Sequence, residues 1–288
     1  MAGSIRHPAA CRKPLREIEV GAPVSSLPLA LKPLKQLIDI GYGRDSQEPA
    51  VPQGRRYYVI GDIHGRADLL RRLHGQIAAD AADAPEATRC AIVYLGDYID
   101  RGPDSRGVID LILANPLPSF DRIHLKGNHE DALLRFLEDE SRGAGWLAIG
   151  GQATLLSYGV KFPKDLSREE ELQHIWLDLR LRMPLEHLEF FSNLAIKHEA
   201  GDYFFVHAGV KPGTPLSQQS PRDLMWIRED FLKSRQRHGK IVVHGHSPRE
   251  RPDVQDNRIG IDTTAYATNV LTCLVLEGTS RRFLSTAL

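Results

Sequence analysis

Three times in succession the chain runs from a short apolar, β-branched segment into a glycine-bounded polar loop, and then into an amphipathic helical pattern. The loops are Gly61-Asp62-Ile63-His64-Gly65, Gly96-Asp97-Tyr98-Ile99-Asp100-Arg101-Gly102 and Gly127-Asn128-His129-Glu130. Before them stand Tyr57–Ile60, Cys90–Leu95 and Ile123–Leu125, which read as short buried strands. After them, Leu69, Leu70, Leu73 and Ile77 share one helical face, as do Val108, Ile109, Leu111 and Ile112, and then Leu133, Leu134, Phe136 and Leu137. Asp104 or Ser105 is the expected N-cap of the second helix. Strands alternating with helices call for βαβ units and a largely parallel sheet. Right-handed crossovers then bring all three loops to one carboxyl edge, where ligand sites of open α/β sheets form.

The remaining chain is organised around that unit. Residues 1–53 are Pro-rich and read as an irregular arm with one short helical piece around Leu34–Ile40; residues 54–288 read as the catalytic domain. From Asp139 to Leu194 the pattern is mainly helical, with breaks expected at Gly143, Gly145, Gly150 and Gly151, and forms a cap flanking the site. Within it, Ser167-Arg168-Glu169-Glu170 has the form of a capping box. Strand patterns return at Tyr203–Val206, Ile241–Val243, Arg258–Ile261 and Val270–Leu276, for which a second, more antiparallel sheet is expected.

Composition narrows the function. Lys+Arg and Asp+Glu are both 37, so there is no whole-chain basic footprint for nucleic acid, and any attraction for phosphate must be local. The cysteines Cys11, Cys90 and Cys273 form no C-x-x-C pattern, which argues against a disulfide framework or a structural zinc site. No apolar run approaches the ~20 residues that span a bilayer, and the amino terminus lacks the apolar core of a signal peptide. A cytoplasmic location, with no membrane partner, is the expectation.

Two later strand ends carry more donors, His207-Ala208-Gly209 and His244-Gly245-His246-Ser247-Pro248. The candidate metal ligands are therefore Asp62, His64, Asp97, Asn128, His207 and His246. Any one loop is as easily a turn as a site, since Gly-Asp and Gly-Asn are turn dipeptides. Five strand-end loops with metal-type donors read as one divided site. Mixed oxygen and imidazole ligation without thiolate suits manganese, iron or zinc better than magnesium or calcium. Six side chains exceed one ion, whereas two ions ~3.5–4 Å apart sharing a carboxylate accommodate them.

The three loops together with His-Ala-Gly and Gly-His-Ser-Pro resemble the signature set of the phosphoprotein phosphatase (PPP) family, within the calcineurin-like metallophosphoesterases. The resemblance runs from about Tyr57 to Glu277. The stretch from Trp146 to Gly159, W-L-A-I-G-G-Q-A-T-L-L-S-Y-G, is further similar to the bacterial branch. The resemblance implies an α/β fold: a two-sheet β-sandwich flanked by helices on both faces. It also implies two divalent metal ions, manganese first, with iron or zinc as alternatives. Asp62 and His64 would hold the first, Asp97 would bridge, and Asn128, His207 and His246 would hold the second. A metal-activated hydroxide would attack phosphorus in line, without a phosphoenzyme. The position of His129 implies the acid that protonates the leaving alkoxide, with Asp100 orienting it. Arg101 would reach phosphate oxygens as a bidentate fork. Arg228 resembles a second phosphate clamp, with Arg222 as a nearby rival.

Two departures stand out. Related phosphodiesterases carry an extra histidine after the first in Gly-His-x-His; here Pro248 takes that place, so His244 is expected to pack and not to ligate. Thr264 lies where bacterial relatives commonly carry glycine, at the edge of the substrate groove. The expected activity is serine/threonine protein phosphatase, on phosphorylated protein or small phosphoesters. A symmetrical bis(5'-nucleosyl)-tetraphosphatase is the alternative, disfavoured by Asp100 before Arg101 and by Glu130 closing the third motif. A silent binding module would need a lost ligand, and none is missing. A nucleic-acid phosphodiesterase lacks its later histidine here.

Overall fold

The computed structural model describes residues 48–162 and 167–287. The arm expected over residues 1–53 lies outside the described residues as far as residue 47, and so does the helical piece expected around Leu34–Ile40. From residue 48 the chain is tied to the body. Val51 is buried and its N–H donates to Gly278 O at 3.0 Å, while Ala50 N–H donates to Asp202 Oδ2 at 2.9 Å.

Ten strands order the described residues: β1 (Arg55–Ile60), β2 (Arg89–Tyr94), β3 (Asp121–His124), β4 (Lys197–Ala200), β5 (Tyr203–Val206), β6 (Ile241–His244), β7 (Asp253–Val254), β8 (Arg258–Gly260), β9 (Thr272–Glu277) and β10 (Ser280–Ser285). The helices are α1 (Ala67–Ala82), α2 (Ser105–Leu113), α3 (Asn128–Glu138), α4 (Gly143–Trp146), α5 (Gln152–Ser157), α6 (Arg168–Arg182), α7 (Leu185–Ser192), α8 (Pro221–Trp226), α9 (Glu229–Leu232) and α10 (Ala265–Thr268). Two five-stranded sheets result, in the orders β10-β9-β1-β2-β3 and β4-β5-β6-β8-β7. Strands β1, β2 and β3 pair in parallel, as the alternation with helices requires.

The second sheet differs from its expected form. Its inner pairs, β5 with β6 and β6 with β8, are parallel, and only the edge strands β4 and β7 are antiparallel. Strand β9, expected there, instead pairs antiparallel with β1 in the first sheet.

Period-2 alternation explains why these short strands are apolar on both faces. On β1, Tyr58 and Ile60 enter the core beneath the helices, while Tyr57 and Val59 enter the layer between the sheets. On β5, Tyr203 and Phe205 face that same layer, while Phe204 and Val206 pack outward with Leu224 of α8 and Phe231 of α9. Helix, sheet, sheet and helix therefore stack as four layers, the α/β sandwich the sequence implied. Asp104 is the N-cap of α2, its Oδ1 accepting from Gly107 N–H at 2.9 Å. The Ser167–Glu170 capping box opens α6.

Of the four glycines expected as breaks, only Gly150, at φ 118°, leaves helical backbone, within Leu147–Gly151. Gly143 and Gly145, expected as breaks, lie within α4. At Gly143 a side chain would meet Phe136 at 2.7 Å and Leu172 at 2.8 Å, so glycine serves close packing there and not a turn.

Candidate active site

Half of the ten candidate side chains stand on an unusual backbone. Five of the eight described non-glycine residues with positive φ belong to the site: His64 (46°), Asp97 (52°), Asp100 (71°), Arg101 (66°) and His246 (62°). Such a conformation costs an L-residue about 1–2 kcal/mol and persists only where surrounding bonds over-determine it. Here they do. Ile63 and His64 N–H both donate to Asp97 O, at 3.0 and 2.9 Å, and Gly65 N–H donates to Tyr98 O at 2.8 Å. The Glu130 carboxylate, fully buried, accepts from the N–H groups of Asp97, Tyr98 and Gly127, each at 2.9 Å. The three loops are thus bolted together before any ligand arrives.

Two clusters of donor atoms form around Asp97: one with His64 and His129, the other with His207 and His246. His207 Nδ1 lies 3.0 Å from Leu95 O, which makes Nδ1 the protonated nitrogen and leaves a lone pair on Nε2. That lone pair faces Asn128 Oδ1 at 2.9 Å, Asp97 Oδ1 at 3.3 Å and His246 Nδ1 at 3.2 Å. Burial brings the His207 ring down to about 3, so it stays neutral. Acceptors converging on one point repel one another unless a cation sits among them, and the donor set therefore fits a divalent metal. In the same way His64 Nδ1 donates to Ile99 O at 2.8 Å, while its Nε2 meets the Arg101 guanidinium at 3.1 Å, a cation already at that nitrogen.

Asp62 stands beside these clusters. Its carboxylate accepts from His246 N–H at 3.0 Å and faces Asp262, which the sequence reading had not singled out. Burial, then the charges of Asp262 and Asp97, push Asp62 well above the usual carboxylate range. Burial and Glu130 do the same to Asp97. Crowded buried carboxylates are again what a cation relieves.

His129 shares the first cluster, its Nε2 3.7 Å from Asp97 Oδ2, but its Nδ1 is fixed on Asp100 Oδ2 at 2.7 Å. That Nε2 is buried without a partner. Burial, then the positive charges of Arg101 and Arg228, lower the imidazole to about 3. Arg101 also lies over the Tyr266 ring at 5.2 Å, and that ring stands perpendicular to His64 with centroids 5.5 Å apart. Arg228 is exposed and makes no ion pair with a described residue, and its charge bears on His129, His207 and His246. His244 packs its ring against Phe231 at 5.1 Å and stays out of both clusters. His244 thus packs as expected: the strand ends at His244, and His246 turns left-handed beyond it.

Sequence reasoning gave no role to Glu130, Asp262, Tyr266, Trp146 or Thr154. For Glu130 a signal existed: an acidic residue three positions into a helix that starts at a motif glycine. Thr264 has φ 59° and ψ 47°, a backbone that a β-branched residue rarely adopts. Thr264→Gly should therefore raise stability by about 1 kcal/mol, read as a higher urea midpoint. A midpoint unchanged or lowered would show that the threonine side chain offsets its backbone cost.

Carboxylate, imidazole and amide donors gathered around a shared aspartate, at one edge of a two-sheet α/β sandwich, define a metal-dependent phosphoesterase. The chain belongs to the calcineurin-like phosphoesterase family, whose model matches residues 55–269. It is 27% identical over 234 residues to the asymmetrical bis(5'-nucleosyl)-tetraphosphatase PrpE of Bacillus mycoides, covering 76% of this chain and 89% of that one. It is 31% identical over 219 residues to serine/threonine-protein phosphatase 2 of Escherichia coli, covering 73% and 87%. A solved structure of a candidate diadenosine tetraphosphatase shares the fold, with TM-score 0.54, 19% identity, and coverage of 83% of this chain and 98% of that one.

Proposed function

We propose that this phosphoesterase hydrolyses alkyl phosphomonoesters, with phosphoserine and phosphothreonine in proteins as its preferred substrates. The observation that supports this is the Asp100–His129 pair at 2.7 Å, with His129 Nε2 unpartnered and turned toward the donor clusters. An alkoxide leaves poorly without a proton, so a positioned acid matters for alkyl esters. A nucleotide phosphate, the leaving group of a dinucleoside polyphosphate, departs without one.

In this reading Asp62, His64 and Asp97 hold one divalent cation, and Asp97, Asn128, His207 and His246 a second, manganese first, with iron or zinc as alternatives. When bound, the cations neutralise phosphoryl charge and lower the pKa of water. Arg101 and Arg228 grip the phosphoryl oxygens. Burial first, then the charges of Arg101 and Arg228, depress His129; a phosphate dianion between the arginines offsets those two charges and so favours a proton on the imidazole when substrate binds. His129 Nε2 then donates that proton to the departing oxygen, while Asp100 keeps Nδ1–H in place.

The second reading, hydrolysis of a phosphoanhydride, rests on the tetraphosphatase relatives. They are of the asymmetrical type, so the product pair to look for is ATP with AMP and not two ADP. The test uses manganese-loaded protein with phosphoserine and phosphothreonine peptides against diadenosine tetraphosphate. Peptide kcat/KM should exceed that of the dinucleotide by about tenfold or more. His129→Asn should cost roughly 10²–10⁴ in kcat on peptides. A dinucleotide preference that survives His129→Asn would replace the first reading with the second.

A further inference from the structure

We propose that Trp146 and Thr154 are positioning residues that lock the Asp100 carboxylate onto His129, an inference that rests on the reading of His129 as the acid. The carboxylate is fully buried and receives three side-chain donors. His129 Nδ1 and Trp146 Nε1 reach Oδ2 at 2.7 and 2.9 Å, and Thr154 Oγ1 donates to Oδ1 at 2.6 Å. The Asp100 N–H in turn points to Thr154 Oγ1 at 2.9 Å and Ser105 Oγ at 3.0 Å. Thr154 thus grips both the backbone and the carboxylate of a residue whose φ is 71°.

Two oxygens held from opposite sides cannot rotate. With Oδ1 fixed by Thr154 and Oδ2 by Trp146, the plane of the carboxylate is set, and so is the direction from which it receives Nδ1–H. That direction decides which way Nε2 points. Both positioning side chains are buried and come from helices on either side of the Gly150 kink, α4 and α5.

The segment between them also holds Arg101, whose N–H donates to Gly150 O at 3.2 Å and whose Nε donates to Ile149 O at 3.4 Å. A Cβ at Gly150 would lie 2.8 Å from the Arg101 side chain. One stretch, residues 146–154, therefore orients acid and phosphate clamp together. A buried tryptophan N–H and threonine O–H need acceptors in any fold, so the question is whether these bonds act on the proton transfer.

Leaving-group dependence answers that. 4-Nitrophenolate departs without a proton, while the serine alkoxide of a phosphoserine peptide requires one. In the full-length, manganese-loaded protein, Thr154→Val removes the donor at nearly constant volume and Trp146→Phe removes the N–H and keeps a ring. Each should lower kcat on the phosphoserine peptide by roughly 10- to 100-fold. On 4-nitrophenyl phosphate kcat should stay within about threefold, with KM unchanged for both substrates. Thr154→Ser, which keeps the hydroxyl, should restore the peptide rate. Equal losses on the two substrates, or no loss on either, would overturn the proposal; Trp146→Phe decides if Thr154→Val fails to fold.

A second readout needs neither metal nor turnover. In the proton NMR spectrum of metal-free protein, the His129 Nδ1–H on a buried carboxylate should give a far-downfield signal that disappears in His129→Asn. That signal should shift upfield or exchange away in Thr154→Val and persist in Thr154→Ser. A signal unmoved in Thr154→Val overturns the proposal. Should the wild-type protein hydrolyse neither phosphoester, the functional reading fails while the NMR comparison still decides the contact.

Discussion

Asp97→Asn is expected to abolish turnover and at the same time to stabilise the metal-free protein. Asp97 is the one described side chain common to both donor clusters, with Oδ1 3.3 Å from His207 Nε2 and Oδ2 3.5 Å from His64 Nε2. Asparagine keeps an oxygen for the His129 N–H, which Asp97 Oδ1 accepts at 3.2 Å, but it cannot offer an anionic oxygen to each of two cations. Bound metal, counted by mass spectrometry after gel filtration, should fall below two equivalents. kcat/KM should drop by about 10³-fold or more, since activation of water and neutralisation of phosphoryl charge both depend on the cations. Stability moves the other way. Burial, then the neighbouring charges of Glu130 and Asp262, hold the Asp97 carboxyl well above its usual range, so its ionised form is disfavoured in protein stripped of metal. Removing that charge should raise the metal-free unfolding free energy by about 1–2 kcal/mol in urea titrations at neutral pH. A variant that retains two metal equivalents, or one less stable than wild type without metal, would contradict the shared-carboxylate reading.

Glu130→Ala should be the most destabilising single change near the site, at about 3–5 kcal/mol, measured by urea unfolding of the metal-free protein. The side chain is fully buried, and its two oxygens are the acceptors for three backbone N–H groups at 2.9 Å, with a longer contact from Ile99 N at 3.4 Å. Alanine strands those donors in a place water does not reach, and each orphaned donor costs about 1–3 kcal/mol. Burial raises the carboxyl to about 7, against the pull of the backbone donors. Its folded-state pKa therefore lies above the usual value for glutamate. A group shifted that way is easier to protonate in the folded state, so its contribution to stability is largest below the unfolded pKa and declines as pH rises toward 7. Glu130→Gln, neutral at all pH, should lose less than alanine and should flatten that decline between about pH 4.5 and 7. A loss under about 1 kcal/mol for alanine would mean that the loops are held by packing and not by this carboxylate.

The parts of the fold readable from the chain are those written in local pattern. The strands around Tyr58, Val93 and Phe205 announce themselves because alternation has nowhere polar to place either face. The helix faces of Leu70, Leu73 and Ile77, or of Val108 and Ile109, show a 3.6-residue period, and each proves buried. Strand partners are another matter. The β9 run Thr272–Glu277 carries no local mark of its partner, and it pairs with β1 in the first sheet. Gly143 looks like a break in sequence, yet its neighbours Phe136 and Leu172 make it a contact.

The site divides along the same line. The gathering of Asp62, His64, Asp97, Asn128, His207 and His246 at one edge was legible because the strand ends of parallel βα units share that edge. The groups that aim those donors were not. Asp100 meets Thr154 across 54 positions of chain and Trp146 across 46, and Glu130 reaches Asp97 across 33. A buried hydrogen bond between distant residues leaves no period in the sequence, because either partner looks locally like any threonine, tryptophan or glutamate. By itself, then, the sequence determined the layers, the edge and the inventory of donors. Tertiary structure alone decided which lone pairs converge, which nitrogen of each imidazole is free and which oxygen holds the acid, because orientation is set by contacts that only close once the chain has folded.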